Sequence, residues 1–415
     1  MTEMMMSSSP PSRGPSEDQA GVNPERQQGD IDVEKNCPHN SVDPYDPNRP
    51  KLSFRQRIHH FTWAWFTLPM STGGLSLLIY AQPYQFPGLR VIGFGVYIAN
   101  LAIFTSLVAC MMTRFTVHAG AFRRSITHPR ESLFVPTFFL AIATLITSTE
   151  RYVVPEHDAP LRKFILAAFW TYVLLTLGLA VAQYSYLFAK HRFALQAMMP
   201  TWILPIFPIM LSGTIASVIA GSQADSETLP IIVGGVAAQG LGIAVAVMMY
   251  AHMIGRLMQS ELPNQEHRPG LFMNVGPPAF TALALVGMAN ALPDTFTHKN
   301  SLPDAPTLRT LALVAAVFLW GLSLWWFAIA AVAVMASRPK HFHLGWWAMV
   351  FPNTGFVLAT ITIAKEFGNE HVLRFTSVLS GLLGAVYLFV LVSHVRAVLG
   401  MEIMYPGCDE DVEDH

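Results

Sequence analysis

Residues 350–360, VFPNTGFVLAT, contain a proline inside an apolar run, and four other stretches repeat this arrangement. They are TLPMSTGGLS at 67–76, FVPTFFLA at 134–141, ILPIFPIMLSG at 203–213 and VGPPAFTA at 275–282. The prolines concerned, Pro69, Pro136, Pro205, Pro277 and Pro352, recur at intervals of 67 to 75 residues. Between them lie apolar runs without an internal proline. The alternation predicts five helical hairpins, each with one helix broken by proline and one unbroken helix.

The composition indicates a membrane protein. The chain has 415 residues, of which 52% are hydrophobic and only 13% are charged, whereas soluble domains carry about 25% charged residues. An apolar segment of about 20 residues crosses a bilayer as a helix. We predict an all-α integral membrane fold of ten transmembrane helices with quasi-fivefold symmetry. The predicted spans are 61–80, 91–112, 132–149, 164–189, 200–220, 230–252, 271–292, 310–335, 344–364 and 375–399.

Three regions are predicted along the chain. Residues 1–50 are rich in proline and acidic residues and are expected to be disordered, 51–400 form the membrane domain, and 401–415 form an acidic tail. One set of loops and flanks carries fourteen Lys and Arg residues and the other set carries eight. Because the richer side faces the cytoplasm, both termini are expected there.

Several functional classes are disfavoured. A net charge of -1 gives no electrostatic support for nucleic-acid binding. The sequence shows no nucleotide-binding loop, no nucleophile with a catalytic partner and no histidine pair with metal-ligand spacing, so we expect no enzyme activity, no cofactor and no metal. The centres of the predicted spans lack Asp, Glu, Lys, Arg and His, which disfavours a proton relay built from side chains.

The proline-bearing spans are the candidate transport path. Proline frees backbone groups, and these are tolerated at membrane depth where they are buried in protein or line a wet cavity. A lone proline is more often a packing feature, but five at regular spacing favour a functional ring. Polar side chains near the breaks are candidate anion contacts: Ser71, Thr72, Thr137, Ser212, Thr281, Asn353 and Thr354. Candidate rim cations that would attract anions, or contact headgroups, are Arg268, Arg338, Lys340 and Lys365.

Four long motifs resemble a known family: HHFTWAWFTLPMSTGG at 59–74, WILPIFPIMLSG at 202–213, RPGLFMNVGPPAFTALAL at 268–285 and GWWAMVFPNTGFVLATI at 345–361. They are similar to the fungal malic acid transport proteins of the tellurite-resistance/dicarboxylate transporter family, which is related to plant slow-type anion channels. The resemblance covers residues 51–407. It implies a central pore lined by odd-numbered helices, a homotrimer and a location in the plasma membrane. It also implies a pore-blocking phenylalanine at Phe351, for which the alternative role is simple packing.

The leading hypothesis is therefore a transporter or channel for malate, succinate and related C4-dicarboxylates. Proton coupling could arise from the substrate itself, since carboxylic acids titrate near pH 4 and a monoanion would carry the proton. An exporter of sulfite or another small inorganic anion is the alternative within the same fold. A membrane receptor or scaffold without flux is the alternative from another class.

Overall fold

The computed structural model describes residues 50–155, 158–191, 194–293, 296 and 304–408. Within these ranges every regular element is helical, so the predicted all-α class is confirmed. The predicted N-terminal tail up to residue 49 and the acidic residues 409–415 lie outside the described residues. Residues 401–408 form turns in which Ile403 and Cys408 are buried.

Ten main helices form the described domain, and shorter and longer helices alternate along the chain. The odd-numbered helices have 13 to 18 residues and the even-numbered ones 29 to 36. In chain order they are α1 (Thr67–Tyr80), α2 (Leu89–Val117), α3 (Val135–Tyr152), α4 (Ala159–Lys190), α5 (Phe207–Ile219), α6 (Asp225–Ser260), α7 (Gly276–Asn290), α8 (Ala305–Ala336), α9 (Phe351–Glu366) and α10 (Glu370–Leu399).

A 3-10 segment precedes every odd-numbered helix. The five segments are Trp63–Phe66, Glu131–Phe134, Pro200–Ile206, Gln265–Val275 and Leu344–Met349. The prolines lie at or near the junction between the 3-10 segment and the α-helix; Pro136 and Pro352, for example, occupy the second residue of α3 and α9. Proline is tolerated there because the first amides of an α-helix have no intrahelical acceptor. The predicted breaks are therefore the starting points of five α-helices.

The odd-numbered helices form a closed inner ring. Each contacts the next along the chain, and α9 contacts α1; the five 3-10 segments make a second closed ring in the same order. Burial agrees with this arrangement, because 67% to 83% of the most apolar window is buried in the segments that contain α3, α5, α7 and α9, against 22% to 39% in the even-numbered helices. Each even-numbered helix packs against its own odd partner and the following odd helix. The predicted division into inner and outer helices is confirmed.

Nine helices in the described part of the chain are long and apolar enough to cross a membrane. The first inner segment, Trp63–Tyr80, is not among them, because α1 contains Ser71, Thr72 and Ser76 together with two glycines. These side chains are buried in the ring, so α1 needs little apolar surface of its own. The ten-span count and the fivefold symmetry remain predictions.

One sequence-based expectation is wrong. The sixth span was expected to contain no internal proline, but α6 begins at Asp225 and therefore includes Pro230. The carbonyl that Pro230 leaves without its usual donor is that of Ser226, four residues earlier. Both residues are exposed near the end of the bundle, where water or headgroups can hydrogen-bond this carbonyl. The helix therefore continues through Pro230.

A buried ion pair joins the first two hairpins. Arg114, in the last turn of α2, donates from both terminal nitrogens to the two carboxylate oxygens of Glu131, the first residue of the next 3-10 segment. Both residues are about 5% exposed. A bidentate guanidinium–carboxylate pair fixes relative orientation as well as distance. This pair therefore sets where the 3-10 segment begins relative to α2.

Candidate functional site

Three phenylalanines from three inner helices meet where the 3-10 ring joins the α-helical ring. Phe351, the first residue of α9, is only 1% exposed. Its ring centroid lies 5.0 Å from that of Phe280 in α7 and 6.3 Å from that of Phe207 in α5, and Phe207 and Phe280 are 6.1 Å apart. We call these three residues the phenylalanine layer. Their separations fall in the range of favourable aromatic contacts.

Glycines allow the inner helices to approach these rings. A β-carbon on Gly355 would lie 2.7 Å from a ring carbon of Phe280, and one on Gly74 would lie 3.2 Å from a ring carbon of Phe351. The first distance is too short for any side chain, and the second is tighter than ordinary packing. Rings from α7 and α9 therefore fill space that larger residues on α9 and α1 would occupy.

The sequence analysis named Phe351 but missed Phe207 and Phe280. A signal for them exists, because Phe207 directly precedes Pro208 as Phe351 precedes Pro352, and Phe280 follows the Pro277–Pro278 pair closely. Helices that begin at equivalent prolines present their first residues at a similar depth. A phenylalanine beside such a proline could therefore have been recognised as a member of the layer.

Most of the predicted polar contacts are buried and hydrogen-bonded to backbone carbonyls. Each of four threonine hydroxyls lies 2.6 to 2.9 Å from a carbonyl oxygen three or four residues earlier: Thr72 (Leu68), Thr137 (Phe134), Thr281 (Pro277) and Thr354 (Phe351). The Thr72 hydroxyl also lies 3.0 Å from the Tyr387 hydroxyl of α10. These side chains help to hydrogen-bond the first turns of the inner helices, where proline removes donors.

The remaining three predicted contacts differ in how many of their hydrogen-bonding groups have no partner. Ser71 donates weakly, at 3.4 Å, to the Trp347 carbonyl. Asn353 donates to the Met349 carbonyl at 2.8 Å, while its side-chain oxygen has no partner. The Ser212 hydroxyl is fully buried and has no partner. Ser212 and Asn353 therefore keep unused hydrogen-bonding capacity inside the ring.

Even-numbered helices donate to carbonyls that stand four residues before two of the prolines. Gln183 of α4 donates to the Ser132 carbonyl at 2.6 Å, and Tyr250 of α6 donates to the Asn274 carbonyl at 2.8 Å. Pro136 and Pro278 cannot donate to these carbonyls as an α-helical amide would, although the Ser132 carbonyl also accepts from the Val135 amide. The outer helices are thus hydrogen-bonding partners of the inner ring as well as packing partners.

Ser323 of the outer helix α8 also contacts a junction of the inner ring, although it was not among the predicted polar contacts. The structure shows it fully buried, with its hydroxyl donating to the Val275 carbonyl at 2.9 Å. Val275 is the last residue before α7, so Ser323 supports a junction of the inner ring. The apolar stretch LWGLSLWW at 319–326, which contains Ser323, gave no sign of this contact.

Removing one of these donors should destabilise the fold. Tyr250→Phe leaves the Asn274 carbonyl buried without that donor, and we expect a loss of about 1 to 3 kcal/mol in the free energy of unfolding. Thermal unfolding in detergent, followed by size-exclusion chromatography, would measure the change. Tyr186→Phe on α4 is the matched control, since Tyr186 is half-buried and makes no comparable carbonyl contact. Equal stability of the two variants would contradict the supporting role of Tyr250.

The predicted rim cations have different surroundings. Arg268 donates to the carbonyls of Pro263 and Ala333, which ties the 3-10 segment before α7 to the end of α8. Lys365, at the opposite end of the bundle, lies 3.4 Å from the Ala81 carbonyl. The side chains of Arg338 and Lys340 are exposed. Arg268 therefore has a structural contact in addition to any effect on anions.

Ionisable side chains are confined to the ends of the inner helices. Within α1, α5 and α7 there is no Asp, Glu, Lys, Arg or His, and in α3 and α9 such residues occur only in the last turns. They are Glu150, Arg151, Lys365 and Glu366. The central wall of the ring is therefore formed by apolar, hydroxyl and amide side chains.

A closed ring of short helices inside a shell of long apolar helices, without central charges, defines a multi-pass membrane protein. A family model described as voltage-dependent anion channel matches residues 60–395. The chain belongs to this family, which confirms the resemblance recognised from the sequence.

The names of similar proteins mention two different substrates. A malic acid transport protein of Schizosaccharomyces pombe is 34% identical over 87% of this chain and 84% of its own length. A putative malic acid transport protein of the same organism is 32% identical over 88% and 86%. A sulfite efflux pump of Trichophyton rubrum is 28% identical over 75% and 84%. Anion transport is common to these names.

Proposed function

We propose that this protein carries malate and related C4-dicarboxylates across the plasma membrane, through the ring of inner helices, with Phe351 as the gate. The 34% identity to a malic acid transport protein over most of both chains supports the substrate. The phenylalanine layer, which lies at the junction of the two rings, supports the position of the gate. We further propose that the termini are cytoplasmic and that the protein is a homotrimer with one path in each subunit.

The proposed passage needs two events. First, the Phe351 side chain must leave its contacts with Phe280 and Phe207. This movement opens the space enclosed by the inner helices. The anion then exchanges part of its hydration shell for hydrogen-bond donors of the inner helices. Ser212 and the neighbouring helix starts could supply such donors, because helix N-termini favour negative charge. A neutral wall binds the anion weakly enough for it to leave again.

Sulfite transport is the second candidate, supported by the 28% identity to a sulfite efflux pump. Radiolabelled malate flux into vesicles that contain the full-length protein would separate the two functions. We expect saturable malate flux that unlabelled succinate reduces and that equal concentrations of sulfite or chloride reduce much less. Saturable sulfite flux without malate flux would support the alternative. Absence of any anion flux would contradict both.

The polar residues near the breaks provide a more local test. We expect Thr72→Val and Asn353→Leu each to lower malate flux severalfold, because each removes a hydrogen-bonding side chain from the inner ring. Flux per correctly assembled protein is the measurement. Ser106→Ala is a suitable control, since Ser106 is an exposed residue of α2 whose hydroxyl donates to the Ala102 carbonyl of its own helix. Flux equal to that of the control would show that Thr72 and Asn353 do not contact the transported anion.

A further inference from the structure

Two arginines converge on one tyrosine at the end of the bundle opposite the 3-10 segments. Tyr80 is the last residue of α1, Arg90 lies in the first turn of α2 and Arg151 lies in the last turn of α3. The guanidinium carbon of Arg90 is 5.0 Å from the Tyr80 ring centroid, and that of Arg151 is 5.6 Å from it. Arg90 also donates to the Tyr80 hydroxyl at 2.9 Å. Both guanidiniums therefore lie against the same aromatic ring.

No carboxylate of the described residues forms an ion pair with either guanidinium. Glu150 is next to Arg151 in the sequence, but its side chain is buried and accepts a hydrogen bond from Ser222. Two positive charges against one aromatic ring attract an anion more strongly than either charge alone. The arginine pair therefore has the electrostatics of an anion site.

A cavity of about 460 Å³ lies beside Arg90 and is lined by Tyr80, Gln82, Gln85, Phe86, Gly88 and Arg90. This volume is within the range of small-molecule sites. Its walls are fixed by hydrogen bonds: Gln82 donates to the Leu78 carbonyl and to the Ser380 hydroxyl of α10, and Gln85 donates to the Tyr80 carbonyl. The cavity is therefore formed by an ordered turn between α1 and α2.

We propose that Arg90, Arg151 and Tyr80 form a capture site for a dicarboxylate at this mouth of the inner ring. A guanidinium can bind a carboxylate through two parallel hydrogen bonds, and two guanidiniums suit an anion with two carboxylates. The site raises the occupancy of the mouth at low substrate concentration without placing a charge inside the neutral path. This inference rests on the proposed transport of dicarboxylates and adds the place where they first bind.

The test measures malate flux in both directions through the full-length protein. The measured quantity is the malate concentration that gives half-maximal flux. For flux that starts from the face bearing Arg90, we expect Arg90→Gln and Arg151→Gln each to raise this concentration about tenfold. Half-saturation from the opposite face, and maximal flux from both faces, should stay within twofold of wild type. Tyr80→Phe should have a smaller effect in the same direction, because it removes only the hydroxyl that holds Arg90. Lys163→Gln is the control, since it removes one exposed positive charge at the same end of the bundle.

The outcomes separate this inference from the proposed function. Wild-type malate flux with unchanged half-saturation in the arginine variants would overturn the capture site alone. An equal rise from both faces, or the same rise in Lys163→Gln, would also overturn it, because the effect would then be general. If the wild-type protein carries no malate, the proposed substrate is wrong. Equilibrium binding of malate to the purified protein then tests the capture site separately. Binding about tenfold weaker in Arg90→Gln would support the site, and unchanged binding would overturn it.

Discussion

Phe351→Ala is expected to raise malate flux by about tenfold or more. The Phe351 side chain contacts Phe280 and Phe207 where the two rings of helices join, and alanine would leave that volume open. A tenfold rise requires the barrier to passage to fall by about 1.4 kcal/mol. Loss of a buried phenylalanine also costs stability, about 3 to 5 kcal/mol, so flux must be normalised to the amount of assembled protein.

Phe356→Ala provides a matched control for this experiment. Phe356 lies five residues further along α9 and is similarly buried, at 6% exposed. Its ring stacks on Trp320 and Phe327 of the outer helix α8, away from the phenylalanine layer. We expect a comparable loss of stability but no rise in flux. A fall in flux in properly assembled Phe351→Ala would instead assign Phe351 a supporting role.

Breaking the buried ion pair should produce a large loss of stability. Arg114→Leu leaves the Glu131 carboxylate buried without its cation, and Glu131→Leu leaves the Arg114 guanidinium in the same state. Removal of one partner of a buried pair costs about 3 to 5 kcal/mol. We expect both single variants to assemble poorly. Thermal unfolding in detergent and the yield of folded protein would measure the effect.

The double variant separates the ion pair from other contacts of these residues. Replacing both partners removes both buried charges, so Arg114→Leu with Glu131→Leu should be more stable than either single variant. Arg123→Leu is the control for the loss of one positive charge, because Arg123 is exposed on the short helix Ala121–Thr127. A double variant less stable than both single variants would show that the two side chains act independently.

Much of the architecture could be predicted because it depends on local chemistry. Proline cannot donate a backbone hydrogen bond, so its regular recurrence marks five helix starts whatever the surroundings. Low charge and long apolar runs identify the helices that face lipid. Phe351 was identified through the resemblance to a family, and its nearly complete burial at a helix start is consistent with the proposed gate.

The partners of individual side chains could not be predicted in this way. Ser323 and Gln183 look alike in sequence terms, as lone polar residues in apolar helices, and only the structure shows the carbonyl that each contacts. Likewise, Arg114 was counted among loop cations, although it pairs with Glu131 in the interior. Such contacts depend on the rotation of each helix about its axis, which neighbouring helices determine together.

The sequence by itself determined the class of this protein, the positions of the proline breaks and the division into inner and outer helices. These follow from the backbone chemistry of proline and from the partition of apolar residues into lipid. Only the tertiary structure brought Phe207 and Phe280 against Phe351, and Arg90 and Arg151 against Tyr80. These residues are far apart in the chain or on different helices, and they meet because consecutive inner helices pack side by side.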